Sequence, residues 1–288
     1  VADVPPLDIA FIRVALGAIT LVAILVARRE HLPRDASAWK QLFVAALLFN
    51  SVPFSLIAFG ETRISSVLAG LWNATTPLMT LVAVTALLPG ERPARARTAG
   101  MLLGFAGVIV VLGPWEHLGS GVLVGDLAVL GASACYGLGF THSRRYLAKR
   151  PESSLSLSAG QLLCATGQLA LVAPALAGAP ASVSTDAGLS LLGLGVAGTG
   201  IAYILNYDLI RSVGPAIAST VTYVVPLFAA VLGITVLGEH LLWHEPVGAF
   251  VVLLGVWISS GRGASRPAGV GATRRRGRLR RPASRVPR

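Results

Sequence analysis

Charge is what this chain has least of. Only 13% of its 288 residues are Asp, Glu, Lys or Arg, about half the share carried by a soluble globular domain. That is too little polar surface to cover a globule in water, so lipid is the solvent the composition calls for. Cysteine is rarer still. Cys135 and Cys164 each sit inside an apolar run, which excludes a disulfide framework and offers no metal-ligand spacing. The five histidines are scattered, and no cluster of Asp, His and Cys could activate a nucleophile or hold a metal ion. A membrane-embedded enzyme is therefore disfavoured. The lack of a G-x-x-x-x-G-K-[ST] loop disfavours nucleotide hydrolysis as well, and no motif calls for a cofactor. The first apolar run is long enough to span a bilayer and contains Arg13, without the basic leader or cleavage pattern of a secretory signal.

Apolar length is what the chain has most of. Hydrophobic residues make up 54%, and the mean hydropathy is +0.71. Runs near the spanning length of about 20 residues fall at 6–27, 40–60, 65–88, 98–114, 122–143, 154–178, 188–210, 214–237 and 246–261. They lack the alternation of barrel strands and must satisfy their peptide groups internally, so nine transmembrane helices are expected. Every Lys and Arg except Arg13 and Arg63 falls in segments that share one side if nine spans alternate. The positive-inside rule then places the amino terminus outside and the carboxyl terminus in the cytoplasm, in a cell (inner or plasma) membrane. Residues 262–288 form an arginine-rich tail without apolar periodicity, expected to be disordered and to lie against anionic lipid headgroups. No aromatic residue interleaves those arginines to stack on bases, so nucleic acid is not an expected partner.

The stretch "GEHLLWHE" at 238–245 resembles a metal site, with His240 and His244 flanked by Glu239 and Glu245. Sliding the chain over itself gives another meaning. A shift of 148 brings Glu91 onto Glu239, Gly100 onto Gly248, Gly107 onto Gly255 and Arg13 onto Gln161; a shift of 149 brings Ala69 onto Ala218 and Pro77 onto Pro226. The chain reads as an internal duplication. "GERPARAR" and "GEHLLWHE" then occupy the same place in two copies, one rich in arginine and one without any. Copies inserted upside down relative to each other require that difference. The histidines fall in a short external loop before a helix started by Pro246, and no metal site is expected. The expected division is 1–114 with four spans, 115–261 with five, and the tail. The counterpart of 122–143 in the first copy would precede residue 1.

Several stretches carry a resemblance: "PPLDIAFIRVALGAITL", "ETRISSVLAGLWNATTPLMTLVAVTALLPGERP" and "GVIVVLG", then "VGPAIASTVTYVVPLFAAVLGITVLGEHL" and "GAFVVLLGVWI". In their order and doubling the chain resembles the EamA-type transporters of the drug/metabolite transporter superfamily, over 6–261. The resemblance implies an all-α polytopic membrane protein, a ten-helix inverted-repeat bundle of five plus five, with nine helices visible and the first one lacking. It also implies alternating access and movement of small metabolites such as amino acids or drugs. Export coupled to a proton or ion gradient is the leading reading. A non-transporting membrane assembly protein, or an inactive truncated carrier, stays open as an alternative.

A carrier needs polar groups and broken helices at membrane depth. Pro77 cannot donate to the carbonyl of Asn73, and Trp72, Asn73, Thr75 and Thr76 cluster there; Pro226 frees the carbonyl of Thr222 beside Thr220 and Tyr223. The resemblance implies that these two helices line the central path. Asn50 and Ser55 flank Pro53 in the second span, with Thr199, Tyr203 and Asn206 in its repeat mate; Tyr136 and His142 lie in the fifth. Each either faces a cavity or makes an ordinary interhelical hydrogen bond. Arg13 is a full charge inside a span. It either holds a substrate carboxylate or, as the favoured expectation, pairs with Asp8, Glu61 or Asp126. Gly100, Gly104 and Gly107, echoed by Gly248 and Gly255, form a small-residue stripe for close helix packing or for a homodimer contact.

Overall fold

A computed structural model describes residues 5–91, 93–112, 123–176, 185–237 and 243–260. Local chemistry sets where its helices begin and end. Pro6 stands in the first turn of α1 (Pro6–Ala27), where its missing N–H costs nothing. The Asp35 side chain accepts from the Ser37 amide at 3.1 Å and caps α2 (Ala36–Ala46), which continues through a π-helical turn, Leu47–Ser51, into α3 (Val52–Glu61). Ser65 caps α4 (Ser66–Asn73), and a two-residue turn leads to α5 (Thr76–Leu87) with Pro77 at its start. The chain continues with α6 (Arg95–Leu112), α7 (Leu123–His142) with a π-helical extension Ser143–Leu147, and α8 (Ser154–Leu176). In the last part α9 (Thr185–Gly195) passes through a further π-turn, Val196–Ile201, into α10 (Ala202–Val213). Gly214, at φ 84°, takes the left-handed conformation that separates α10 from α11 (Pro215–Ala218), and α12 (Val221–Leu237) and α13 (His244–Ser260) follow.

No strand occurs among the described residues. Seven of the nine expected spans are helices long and apolar enough to cross a membrane. The other two, 214–237 and 246–261, appear as the shorter apolar helices Pro215–Phe228 and Pro246–Ser260. The tail, the expected external loop 116–120, most of the one at 180–186, and Glu239 with His240 lie outside the described residues.

Two pairings organise the bundle. α1 lies along α8, their buried faces sharing Val14, Leu21, Leu162 and Leu169. α6 and α13 pack closest, and glycine makes that approach feasible. A Cβ on Gly100 would stand 2.5 Å from Ser259 N, on Gly107 2.6 Å from Val252 N, and on Gly248 2.5 Å from Val111 N. Numbers climb along α6 as they fall along α13, so the two run antiparallel. The glycine stripe thus serves close helix packing inside the chain, as expected of it.

The basic segments meet at one end. Arg144 bonds Glu91 at 2.8 Å and reaches the carbonyls of Ile210 and Arg211. Arg150 joins Asp35 and Glu152, Arg211 donates to the carbonyl of Glu152, and Ser153 bonds Glu30. The loops expected on one membrane side are in direct contact.

Candidate functional site at the crossing of the two halves

Pro53 supplies the first irregularity. Lacking an N–H, it leaves the carbonyl of Phe49 without its helical partner, one turn back in the π-turn Leu47–Ser51. The Tyr203 hydroxyl, from α10, donates to that carbonyl at 3.3 Å. Asn50 Nδ2 in turn donates to the Tyr203 oxygen at 2.7 Å. Gln161 Nε2 of α8 donates to Asn50 Oδ1 at 3.0 Å, and the Tyr207 hydroxyl donates to Gln161 Oε1 at 2.6 Å. Tyr207, Gln161, Asn50 and Tyr203 form a directional chain in which each donor hands on to the next. Asn50, Gln161 and Tyr207 are buried, so each bond replaces one that water cannot make.

The second π-turn, Val196–Ile201, carries Thr199, and there α1 supplies the donor. Arg13 Nε bonds Thr199 Oγ1 at 3.1 Å, and its guanidinium carbon stands 4.8 Å over the Phe54 ring. The expected ion pair of Arg13 with Asp8, Glu61 or Asp126 is absent. Asp126 accepts from Trp72 Nε1 at 2.8 Å, Asp8 Oδ2 is buried without a partner, and Glu61 is exposed. α1 crosses the third span of the other half, and the oxygen it meets there is a hydroxyl.

These two constellations correspond. Shifting Arg13 by 148 gives Gln161, and shifting Asn50 and Phe54 by 149 gives Thr199 and Tyr203. Arg13 on Thr199 beside Phe54, and Gln161 on Asn50 beside Tyr203, are one contact made twice across the halves. Only one copy carries a charge. The Phe49 ring joins them to α7, packing 6.5 Å from Tyr203 and 6.2 Å from Tyr136. Arg13, Tyr136 and Tyr203 each keep part of their surface open.

The remaining expected residues divide. The break beside Pro77 is present: Thr76 Oγ1 takes the carbonyl of Asn73 at 2.7 Å, while Thr75 and Ser133 both donate to that of Trp72. Asn73 Oδ1 is buried and unpartnered. In the second half the break falls at Ser219–Thr220, where both hydroxyls bond carbonyls of the preceding turn, and Pro226 lies inside the continuous α12. The expected break at Pro226 is therefore displaced by more than a turn. Tyr223 is buried against Gly104 with its hydroxyl on the carbonyl of Met101, and Ser55 bonds the carbonyl of Ser51. Asn206 is half-buried and His142 bonds the carbonyl of Gln41. His244, of the supposed metal pair, bonds the carbonyl of Val110. Gln161, Tyr207 and Phe54 were not singled out from the sequence, although the register that aligns Arg13 with Gln161 pointed to one of them.

A cleft of about 530 Å³ opens at the basic end, lined by Glu91, Arg97, Arg144, Gly214 and Ser260 among others. Arg144 and Glu91 span its wall.

A helical bundle in which seven of the described helices are long and apolar enough to cross a membrane, with irregular turns inside two of them, is that of a multi-pass membrane protein. The chain belongs to the EamA-like transporter family, which it matches over residues 1–113 and 123–261. It is 28% identical over 256 residues to the Escherichia coli protein YedA, called an uncharacterized inner membrane transporter, covering 88% of this chain and 80% of that one. It is 22% identical over 260 residues to the uncharacterized transporter YoaV of Bacillus subtilis, covering 90% and 88%. One crystal structure superimposes with a TM-score of 0.75 at 21% identity over 90% of each chain, a likeness of fold.

Proposed function

We propose that this protein is a secondary carrier of small metabolites, working by alternating access between two inverted repeats, 1–114 and 115–261. The doubled contact carries this reading: Arg13 on Thr199 and Gln161 on Asn50 relate repeat-equivalent spans of opposite halves in the same way. Repeat-equivalent helices α6 and α13 run antiparallel, as inverted copies must. The substrate site is the crossing itself, formed by Arg13, Phe54, Tyr136 and Tyr203, with Asn50, Thr199 and Gln161 holding them in place. Trp72, Asn73, Thr76 and Pro77 on one side, and Asn206, Thr220, Tyr223 and Pro226 on the other, belong to the helices that move around it. The basic end is cytoplasmic in a cell membrane, by the positive-inside rule, and there the Arg144–Glu91 contact closes the path. Export driven by a proton or ion gradient is the direction we favour, with the bilayer as the protein's other partner.

Proteoliposomes loaded with a panel of amino acids and amphipathic drugs test this. The wild-type chain is expected to move at least one of them saturably, and Tyr203→Ala to lower kcat by about tenfold or more, the cost of misplacing a positioned group. Equal transport by the Tyr203→Ala variant would remove the crossing from the path.

A further inference from the structure

We infer that the crossing recognises a monoanionic substrate through its carboxylate, with the free edge of the Arg13 guanidinium as the binding group; this rests on the crossing being the substrate site. Among the described residues Arg13 is the one Lys or Arg that lies in a span away from the helix ends. A charge at such depth needs a partner, and the described residues provide no counter-charge: its hydrogen-bond partner is the neutral Thr199 hydroxyl, and its face rests on Phe54. Nε is thereby occupied and the guanidinium plane is set. The two Nη groups are left as a fork with no acceptor among the described residues, on a residue that keeps part of its surface open. That fork matches the two oxygens of a carboxylate.

Repeat symmetry sharpens the point. At the equivalent place Gln161 has both its amide oxygen and its nitrogen taken, by Tyr207 and Asn50. Of two related positions, one is closed and neutral and the other is open and cationic. A single unbalanced positive charge suits one negative charge, and a phosphate dianion would lack its second cation. Aromatic groups line the crossing: the guanidinium lies over the Phe54 ring, and Phe49 packs on Tyr136 and Tyr203. The Tyr136 hydroxyl makes no hydrogen bond to the described protein, which leaves it available to the same ligand. The substrate class is therefore a small carboxylic acid with an apolar or aromatic body.

The test needs no knowledge of the natural substrate. In a Cys135→Ser/Cys164→Ser background, the thiol of a Tyr136→Cys variant is modified with 2-carboxyethyl or 2-(trimethylammonio)ethyl methanethiosulfonate. The rate ratio of anionic to cationic reagent is expected to fall by roughly tenfold or more with Arg13→Gln, as loss of a nearby unit charge in a low-dielectric site requires, and to survive Arg13→Lys. An unchanged ratio in Arg13→Gln would overturn the inference. With Arg13 intact, so that folding of the Gln variant is not at issue, benzoate is expected to slow modification and benzamide not; equal effects, including none, would also overturn it. Failure of both reagents to modify the thiol would instead show a sealed crossing, and the site reading would fall together with this one.

Discussion

Single prolines and amides set up most of the chemistry at the crossing. Pro53 orphans one carbonyl, and the hydroxyl that answers it belongs to a residue 154 positions away. Gln161→Leu keeps the side chain's approximate volume but strands the Tyr207 hydroxyl and Asn50 Oδ1 in full burial. Each stranded group costs about 1–3 kcal/mol, so the melting temperature in detergent is expected to drop by several degrees. An unchanged melting temperature would mean the chain of donors contributes nothing to stability. At the basic end, hydrogen bonds from Arg150 and the Ser37 amide hold the Asp35 carboxyl below its ordinary range. Burial works against the Glu152 charge, but the Arg150 hydrogen bond and charge, with a backbone bond, outweigh it and lower its pKa too. Both folded values are depressed, so their stabilisation is complete above the unfolded carboxylate pKa, about 4, and is lost as pH falls through the folded values. Arg150→Gln should therefore melt below wild type at pH 7, with the gap closing below about pH 4; a gap independent of pH would contradict the assigned contacts.

Elements meet where side chains allow backbones to approach, and α6 with α13 is the tightest case. Gly255 has backbone of Gly104 at 2.4 Å from where a Cβ would stand, whereas Gly167 on α8 has nothing within 4 Å. Gly255→Ala should cost about 1–3 kcal/mol through overpacking, while Gly167→Ala should be neutral or slightly stabilising through helix propensity. Thermal unfolding of the two variants side by side checks this, and equal melting temperatures would refute the packing. The stripe itself was legible in the sequence as small residues at helical spacing. Its partner was not, because a stripe of glycines suits a neighbour in the same chain or in a second copy equally well. The same limit applies to helix breaks. Proline marked Pro77 correctly, yet α12 runs through Pro226 and the chain turns earlier, at Ser219–Thr220, where hydroxyls can satisfy the loosened carbonyls.

Across the whole molecule, the convergence of Glu30, Asp35, Glu91, Arg144, Arg150 and Arg211 at one end gives the topology a physical handle. Thr62, at the opposite end beside Arg63, and Lys149, at the basic end, are both exposed. In the cysteine-free background, an impermeant maleimide is expected to label Thr62→Cys in intact cells, and Lys149→Cys only once the membrane is broken. The opposite pattern would reverse the orientation.

Contiguous residues alone determined that this is a helical membrane protein and where its seven long apolar helices lie. Both depend on apolar length along the chain, a local and additive quantity. Tertiary structure alone decided that Arg13 meets Thr199 and Phe54 rather than a carboxylate, and that Gln161 belongs beside Asn50. A buried polar group takes the partner that helix crossing brings within about 3 Å, and which helices cross is settled by how the two halves pack against each other.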